Sequence, residues 1–181
     1  MTHGVMIQNK VAAMNVDSYN RSAVCASDVD NGNVVVLSAK STTSGQSEVW
    51  TAVVPSTSNG LTGLWMAYSP EVVVTAGAYK GLDVDPRNFV NTATYVFDVF
   101  KPQLGDIVTL SSDCLAGAYV ANTTTHVNAT DSTGGLKLLW GNSQTGSVLS
   151  LKFLAVTYVS IGTGSISNQR VAAYQFEVVG L

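Results

Sequence analysis

Two strand patterns near the C-terminus constrain the fold more than any other part of the sequence. Residues 149–159 read LSLKFLAVTYV and residues 170–179 read RVAAYQFEVV, with a loop rich in Gly, Ser and Asn between them. Both stretches are rich in β-branched and aromatic residues and are bounded by turn-forming residues, which is typical of paired strands. They predict a long antiparallel β-hairpin that closes the domain.

The alternation of side chains along this hairpin predicts a core face and a mixed face, because residues two apart in a strand share a face. The predicted core face comprises Leu149, Leu151, Phe153, Ala155 and Val159, with Ala172, Tyr174, Phe176 and Val178. The opposite face comprises Ser150, Lys152, Leu154, Val156, Tyr158, Ser160, Gln175 and Glu177. This second face is only half polar, so it belongs either to another packed layer of the domain or to a surface covered by a neighbour.

The rest of the chain shows many short apolar segments separated by Gly, Pro, Asn and Ser. Asp30-Asn31-Gly32 lies between apolar residues 22–29 and 33–39 and predicts a tight hairpin turn. We expect an all-β fold, an antiparallel β-sandwich or barrel with an extended N-terminal arm. The arm is assigned to residues 1–21 and a single β domain to residues 22–181. Residues 76–91 are interpreted as a loop, and residues 118–135 as a long excursion with at most a short strand.

The composition is unusual in its low charge. Charged residues make up 12% of the chain, against about 25% in typical soluble domains. This favours a protein whose surface is partly covered by neighbours, although a β domain that stays soluble through hydroxyl and amide groups is the alternative. The net charge of −3 argues against nucleic acid as a partner, because phosphate binding needs a basic face.

The sequence carries no apolar run long enough to cross a bilayer, so we expect no membrane partner. It also carries no classical secretory signal pattern at its N-terminus, which predicts synthesis in the cytoplasm. Cys25 and Cys114 lie in apolar, strand-like contexts and are interpreted as buried thiols rather than a disulfide.

Two acidic segments are candidates for chemistry. Residues 28–33 (DVDNGN) have the oxygen-rich character of a calcium loop but depart from the EF-hand spacing, so a hairpin turn is favoured. Asp83 and Asp85 form a carboxylate pair that could serve a metal or a hydrolase. We favour a proline turn in which aspartates cap backbone amides and Arg87 pairs with one of them. We therefore expect no enzyme activity, no cofactor and no metal.

Aromatic residues offer a different function, a platform for stacking on sugars. The residues concerned are Trp50, Trp65, Trp140, Tyr68, Tyr79 and Tyr119. Each tryptophan lies within an apolar strand pattern, which favours core packing over an exposed platform.

Several segments together resemble small virion structural proteins of tailed bacteriophages, of the kind found beside the major capsid protein. These segments are residues 4–10 (GVMIQNK), 63–71 (GLWMAYSPE), 81–89 (GLDVDPRNF), 100–106 (FKPQLGD) and 169–176 (QRVAAYQF). The resemblance covers nearly the whole chain, and it implies a capsid decoration protein on the virion surface. Its implied partners are the major capsid protein and further copies of itself. Alternatives are a tail-tube or other virion building block, and a carbohydrate- or receptor-binding adhesin module.

The segments expected to contact the capsid are the N-terminal arm and the loop 76–91, because both were interpreted as irregular and unnecessary for the core. The candidate contact residues are Val5, Met6, Ile7, Met14, Tyr79, Asp83, Asp85, Arg87 and Phe89.

Overall fold

The predicted all-β fold is confirmed by a computed structural model. The structure describes residues 3–56, 61, 63–71, 73–74, 82–83, 85–129, 136–144, 148–162 and 168–181. Within these ranges there is no α-helix, and the strands form a closed five-stranded barrel, a seven-stranded mixed sheet and a separate two-stranded ladder.

Fourteen strands and four short 3-10 turns make up the described elements. The strands are β1 (Met6–Lys10), β2 (Asn20–Cys25), β3 (Val34–Lys40), β4 (Val49–Val53), β5 (Trp65–Ala67), β6 (Val73–Val74), β7 (Leu82–Asp83), β8 (Val96–Phe100), β9 (Ile107–Ser111), β10 (Leu115–Ala116), β11 (His126–Asn128), β12 (Leu138–Gly141), β13 (Ser150–Gly162) and β14 (Asn168–Gly180). The 3-10 turns are Ala12–Met14, Asp17–Tyr19, Pro86–Asn88 and Ser112–Cys114.

The barrel closes in the order β2-β4-β3-β5-β8, and this order contradicts the predicted hairpin around Asn31-Gly32. Strand β4 lies between β2 and β3, parallel to β2 and antiparallel to β3. The turn between β2 and β3 instead contacts the end of β5, because the Gly32 amide donates a hydrogen bond to the Ala67 carbonyl at 2.8 Å. Gly32 has a φ of +85° whereas Asn31 does not have a positive φ, so this is not the two-residue turn that joins paired strands.

Parts of three barrel strands, β3, β5 and β8, are apolar on both faces because the barrel packs against the sheet there. Val35, Ala67 and Val99 are buried in the barrel cluster. Their neighbours in sequence, Val34, Met66 and Phe100, point the other way and are buried in the cluster that also contains the sheet residues Leu110 and Phe176. Alternating side chains thus build two cores from one set of strands.

The sheet has the order β1-β9-β14-β13-β11-β12-β10, with the predicted C-terminal hairpin at its centre. The hairpin is confirmed, but half of its predicted face assignment is wrong. The register shifts between Phe153 and Ala155, so that Phe153 lies opposite Phe176 and Val156 lies opposite Tyr174. A β-bulge of this kind adds one residue and reverses the alternation beyond it.

As a consequence, Val156 and Tyr158 share the face of Tyr174 and Phe176, and Ala155 and Val159 lie on the other face. The predicted pairing of Leu151 and Phe153 with Val178 and Phe176 on one face is correct because it precedes the bulge.

The N-terminal segment packs into the domain. Strand β1 pairs with β9 at the edge of the sheet, and Val5, Met6, Val11 and Ala13 are buried. The expectation that this segment is unnecessary for the core is therefore wrong. Its apolar residues complete the layer between sheet and barrel, in which Met6, Val11 and Ala13 take part.

Gly32 offers a direct test of how tightly the turn is packed. A Cβ placed on it would lie 2.8 Å from Leu110 Cδ2 and 3.1 Å from Cys114 Sγ. Gly45 has a similar φ of +82° but has nothing within 4 Å of such a Cβ. We expect Gly45→Ala to cost about 1–2 kcal/mol of unfolding free energy through backbone strain. Gly32→Ala should cost a further 1–3 kcal/mol or so through overpacking.

Urea denaturation of both variants measures this difference. Equal losses of stability would show that the turn does not press on Leu110 and Cys114 as the structure describes.

Candidate functional site

The turn at residues 28–33 is a buried junction between the barrel, the sheet and the N-terminal segment. The Asn31 side chain is fully buried; its amide nitrogen donates to the Ser69 carbonyl at 2.9 Å, and its oxygen accepts from the Ser69 amide at 3.0 Å. Asn91 donates to the same oxygen. Asp30 accepts from the Gly4 amide and hydrogen-bonds to the His3 ring.

These contacts account for the acidic segment that resembled a calcium loop. Asp28 accepts from the Ala93 amide at 2.8 Å, so the carboxylates of Asp28 and Asp30 bond to the protein's own groups. Among the described residues, the buried Oδ1 of Asn33 has no hydrogen-bond partner. Among the residues that the structure describes, no group of three or more His, Cys, Asp or Glu side chains could hold a metal ion.

Glu71 lies at the rim of this junction in an unfavourable environment for its charge. Burial raises the pKa of Glu71, and hydrogen bonds from the Asn31 side chain and the Met6 amide oppose that rise only in part. Burial, and secondarily the Glu71 carboxylate, raises the pKa of the neighbouring Tyr68.

The segment at residues 85–89 is the predicted proline turn. The Asp85 carboxylate accepts a hydrogen bond from the Arg87 amide at 2.9 Å. It also forms an ion pair with the Arg87 guanidinium at 2.8 Å. The hydrogen bond from the Arg87 side chain is the main reason that the pKa of Asp85 is lowered. The Arg87 carbonyl accepts from the His3 amide. Asp85 therefore has a structural role; Tyr79 and the side chain of Asp83 lie outside the described residues.

Two grooves on the barrel side of the molecule meet at Pro70 and Asp98. The first encloses about 820 Å³ and is lined by Met14, Trp50 and Tyr68 among others. The second encloses about 410 Å³ and is lined by Phe89, Tyr95 and Val96. Both grooves include Pro70 and Asp98 in their lining, so they lie next to each other, and together they are named here the double groove.

The double groove includes residues from the two segments that the sequence assigned to partner contact. Met14, from the N-terminal segment, is 60% exposed in the first groove, and Phe89, from the second segment, is half-buried in the second. Val5 and Met6 do not reach the surface, because they are buried in the core. Ile7 is exposed on the edge strand β1, but it does not line either groove.

Charges of both signs lie beside the apolar and aromatic side chains of the first groove. Lys40 pairs with Glu48 at 3.3 Å and lies over the Trp50 ring, 6.0 Å from its centroid. Arg21 donates to the Ser18 and Asn20 carbonyls. An exposed pair such as Lys40–Glu48 contributes about 0–1 kcal/mol, so these groups are available to new partners at little cost. Such a surface suits a protein segment or a polar ligand with an apolar face.

The three tryptophans have different surroundings. Trp65 packs against the barrel cluster and Trp140 against the cluster between barrel and sheet, so the prediction of core packing is confirmed for these two. Tyr119 packs against Trp140 with ring centroids 5.3 Å apart and ring planes tilted by 52°. Trp50 alone among the tryptophans lines the double groove.

The remaining candidates for chemistry are engaged in local contacts. Cys25 and Cys114 are free, buried thiols, as predicted. Burial raises the pKa of Cys114 to about 12, so its thiol stays protonated at neutral pH. His126 hydrogen-bonds to the Thr125 hydroxyl, and burial followed by the charge of Lys152 lowers its pKa.

The chain matches no protein-family model, no curated protein and no solved structure. No helix in the described part of the chain is long and apolar enough to cross a membrane.

Sequence reasoning missed most of the double groove. Trp50, Tyr68 and Asp98 come from separate parts of the barrel, and no spacing in the sequence links them. The alternation of β8 puts Phe97 and Val99 inside the barrel and so places Val96 outside, but it gives no such signal for Tyr95, which has the parity of Phe97 and Val99 and is nevertheless exposed.

Glu71 gives a prediction about pH. The pKa of Glu71 is higher in the folded state than in the unfolded state, so the folded state holds the proton more tightly. The free energy of unfolding therefore falls as the pH rises from the ordinary titration range of a glutamate through the raised pKa. Glu71→Gln keeps an oxygen for Asn31 and removes the charge. Because the side chain is only half-buried, we expect a gain of at most about 1 kcal/mol at pH 7, discounted for solvent screening.

Thermal or urea unfolding at pH 7 and at pH 3 measures the effect, with Glu48→Gln on the exposed surface as the matched control. A Glu71→Gln variant whose advantage did not shrink at pH 3 would contradict the assignment.

Proposed function

We propose that this chain is a structural virion protein that decorates a bacteriophage capsid by binding the major capsid protein lattice. The viral setting rests on the sequence resemblance. The binding role is supported by one observation above others: the two segments expected to contact a partner line two adjacent grooves that share Pro70 and Asp98. Met14 lines the first groove and Phe89 the second, in which Tyr95 and Val96 are exposed.

The chemistry of the double groove suits a protein partner. Met14, Tyr95 and Phe89 provide the flexible and aromatic apolar contacts that anchor interfaces, and charged groups stand at the rim. Each copy would bury a modest area on the shell. Repetition of the contact over a lattice, together with contacts between neighbouring copies, then gives a cumulative stabilisation that a single contact lacks.

Point substitutions test this role better than removal of the N-terminal segment, because that segment completes the core. Met14→Glu and Tyr95→Glu change exposed side chains in the first and the second groove respectively. We expect each to weaken binding to intact capsids by at least about tenfold, since a charge replaces an exposed apolar side chain within the contact.

The matched control is Leu104→Glu, which changes an equally exposed apolar side chain outside both grooves. Co-sedimentation with capsids and counting of copies per capsomer measure occupancy. If the unaltered protein did not bind capsids at a fixed copy number, the capsid function would be wrong. If all three variants bound equally well, the double groove would not be the contact.

A carbohydrate-binding module is the second candidate, favoured by Trp50 in the lining of the first groove beside Tyr68 and Asp98. Aromatic rings stack on sugars and carboxylates accept their hydroxyl hydrogens. Binding on a glycan array that is lost in Trp50→Ala would support it over the capsid role.

A tail-tube building block would instead form rings or tubes from the purified protein alone.

A further inference from the structure

Tyr95 is the most exposed aromatic side chain among the described residues, at 70%, and it lines the second groove. Its place in the alternation of β8 belongs with Phe97 and Val99, whose side chains are buried inside the barrel. The exposure of the ring therefore needs a local cause, and the turn that precedes β8 supplies one.

This turn is strained. The Tyr95 amide donates to the Thr92 carbonyl at 3.2 Å, and Thr94, the third residue of the turn, has a φ of +70°. Turns of this kind normally carry glycine at that position, because a β-branched side chain is strained there. The Thr94 amide donates to the Cys25 carbonyl at 2.8 Å, so the barrel holds the turn in place. The fold thus maintains a strained turn that keeps Tyr95 at the surface.

Two other partly or largely exposed aromatic rings are covered by a cation of the same chain. The Arg21 guanidinium lies 5.7 Å from the centroid of the Trp65 ring. The Arg170 guanidinium lies 5.2 Å from the centroid of the Tyr158 ring. Among the described residues, no lysine or arginine lies over Tyr95 in this way. The face of its ring is open to a cation from outside.

Asp98 is the one charged residue among the described residues that line the second groove, and it is exposed. Its carboxylate accepts from the Ser22 hydroxyl at 3.4 Å, which is a long hydrogen bond. The exposed carboxylate of Glu48, by contrast, pairs with Lys40, whereas Asp98 forms no ion pair within the described part of the chain. The second groove therefore combines an aromatic ring and a carboxylate that both lack a cation.

We propose that the second groove binds an arginine side chain presented by a segment of the partner protein. Val96 and Asp98 share the outer face of β8, about 7 Å apart. The methylene stem packs on Val96 and the Tyr95 ring, and the guanidinium pairs with Asp98. Arginine suits this groove better than lysine, because a planar guanidinium stacks on aromatic rings and forms two parallel hydrogen bonds with a carboxylate. Pro70 and Phe89 provide apolar contacts for neighbouring residues of the segment.

The assignment rests on the proposed binding role of the double groove, and a short peptide tests it without any capsid. The probe is acetyl-Leu-Arg-Leu amide, titrated into the isotope-labelled full-length protein and followed by NMR. The amide signals of Val96 and Asp98 should shift in a saturable way. The same peptide with citrulline, which has the shape of arginine without its charge, should bind at least about threefold more weakly. The lysine counterpart should also bind more weakly.

Two variants identify the groups that hold the peptide. Asp98→Asn keeps an oxygen for the Ser22 hydroxyl, and it should remove the advantage of the arginine peptide over the citrulline peptide. Tyr95→Leu keeps an apolar side chain without the ring and should also weaken binding. Glu177→Gln is the matched control; its carboxylate lies opposite Lys152 in the hairpin and lines neither groove, so binding should be unchanged. Circular dichroism checks that each variant keeps its β structure.

The sign of an introduced charge separates this assignment from the capsid function. On intact capsids Tyr95→Glu and Tyr95→Lys both lose the ring, but only the lysine repels an arginine. Tyr95→Lys should therefore bind at least about threefold more weakly than Tyr95→Glu. Equal losses would overturn the arginine site and leave the capsid function standing.

The peptide measurement has its own contrary outcomes. No saturable shift, equal binding of the citrulline or lysine peptide, or shifts confined to the first groove would overturn the arginine site. Equal weakening by Glu177→Gln would overturn it as well, since the peptide would then respond only to the net charge of the chain. An arginine peptide that binds as described to a chain without affinity for capsids would instead overturn the capsid function and support the arginine site.

Discussion

The apolar layer between the barrel and the seven-stranded sheet is the constraint on which the rest of the structure depends. Phe100 and Met66 enter it from the barrel, and Leu110 and Phe176 from the sheet. Because the barrel has a second core inside it, its strands are buried on both faces where they meet the sheet, as at Val34–Val35, Met66–Ala67 and Val99–Phe100, and these stretches leave no positions for charges. The low charge of the chain is thus explained in part within the molecule. Composition alone does not require a partner, and the structural case for one rests on the double groove.

The strands were predictable from the sequence where their periodicity was uninterrupted. The two segments of the C-terminal hairpin were recognised by their β-branched and aromatic residues, and their pairing was correct. The face assignment failed after Phe153 because a one-residue bulge leaves no mark in a pattern of apolar residues. Similarly, Asn31-Gly32 gave the local signal of a hairpin, but the buried Asn31 side chain bonds to Ser69. Long-range contacts of this kind override local turn preferences.

The candidate site was predictable only in its outermost parts. Met14 and Phe89 were selected because they are apolar residues in irregular segments, and both line the double groove. Val5 and Met6 were selected by the same reasoning and are buried, since a short apolar run reads alike on a surface strand and a core strand. The floor of the groove depends on the closure of the barrel, which brings Trp50, Tyr68 and Asp98 together from distant parts of the chain.

The bulge that defeated the face assignment also decides which side chains of the outer part of the hairpin share a face. Without it, Leu154, Val156 and Tyr158 would all lie on the face opposite Phe176. With it, Val156 and Tyr158 lie on the face of Tyr174, and both are exposed. A single inserted residue therefore changes the surface that half of a long strand presents, although the composition of the strand is unchanged.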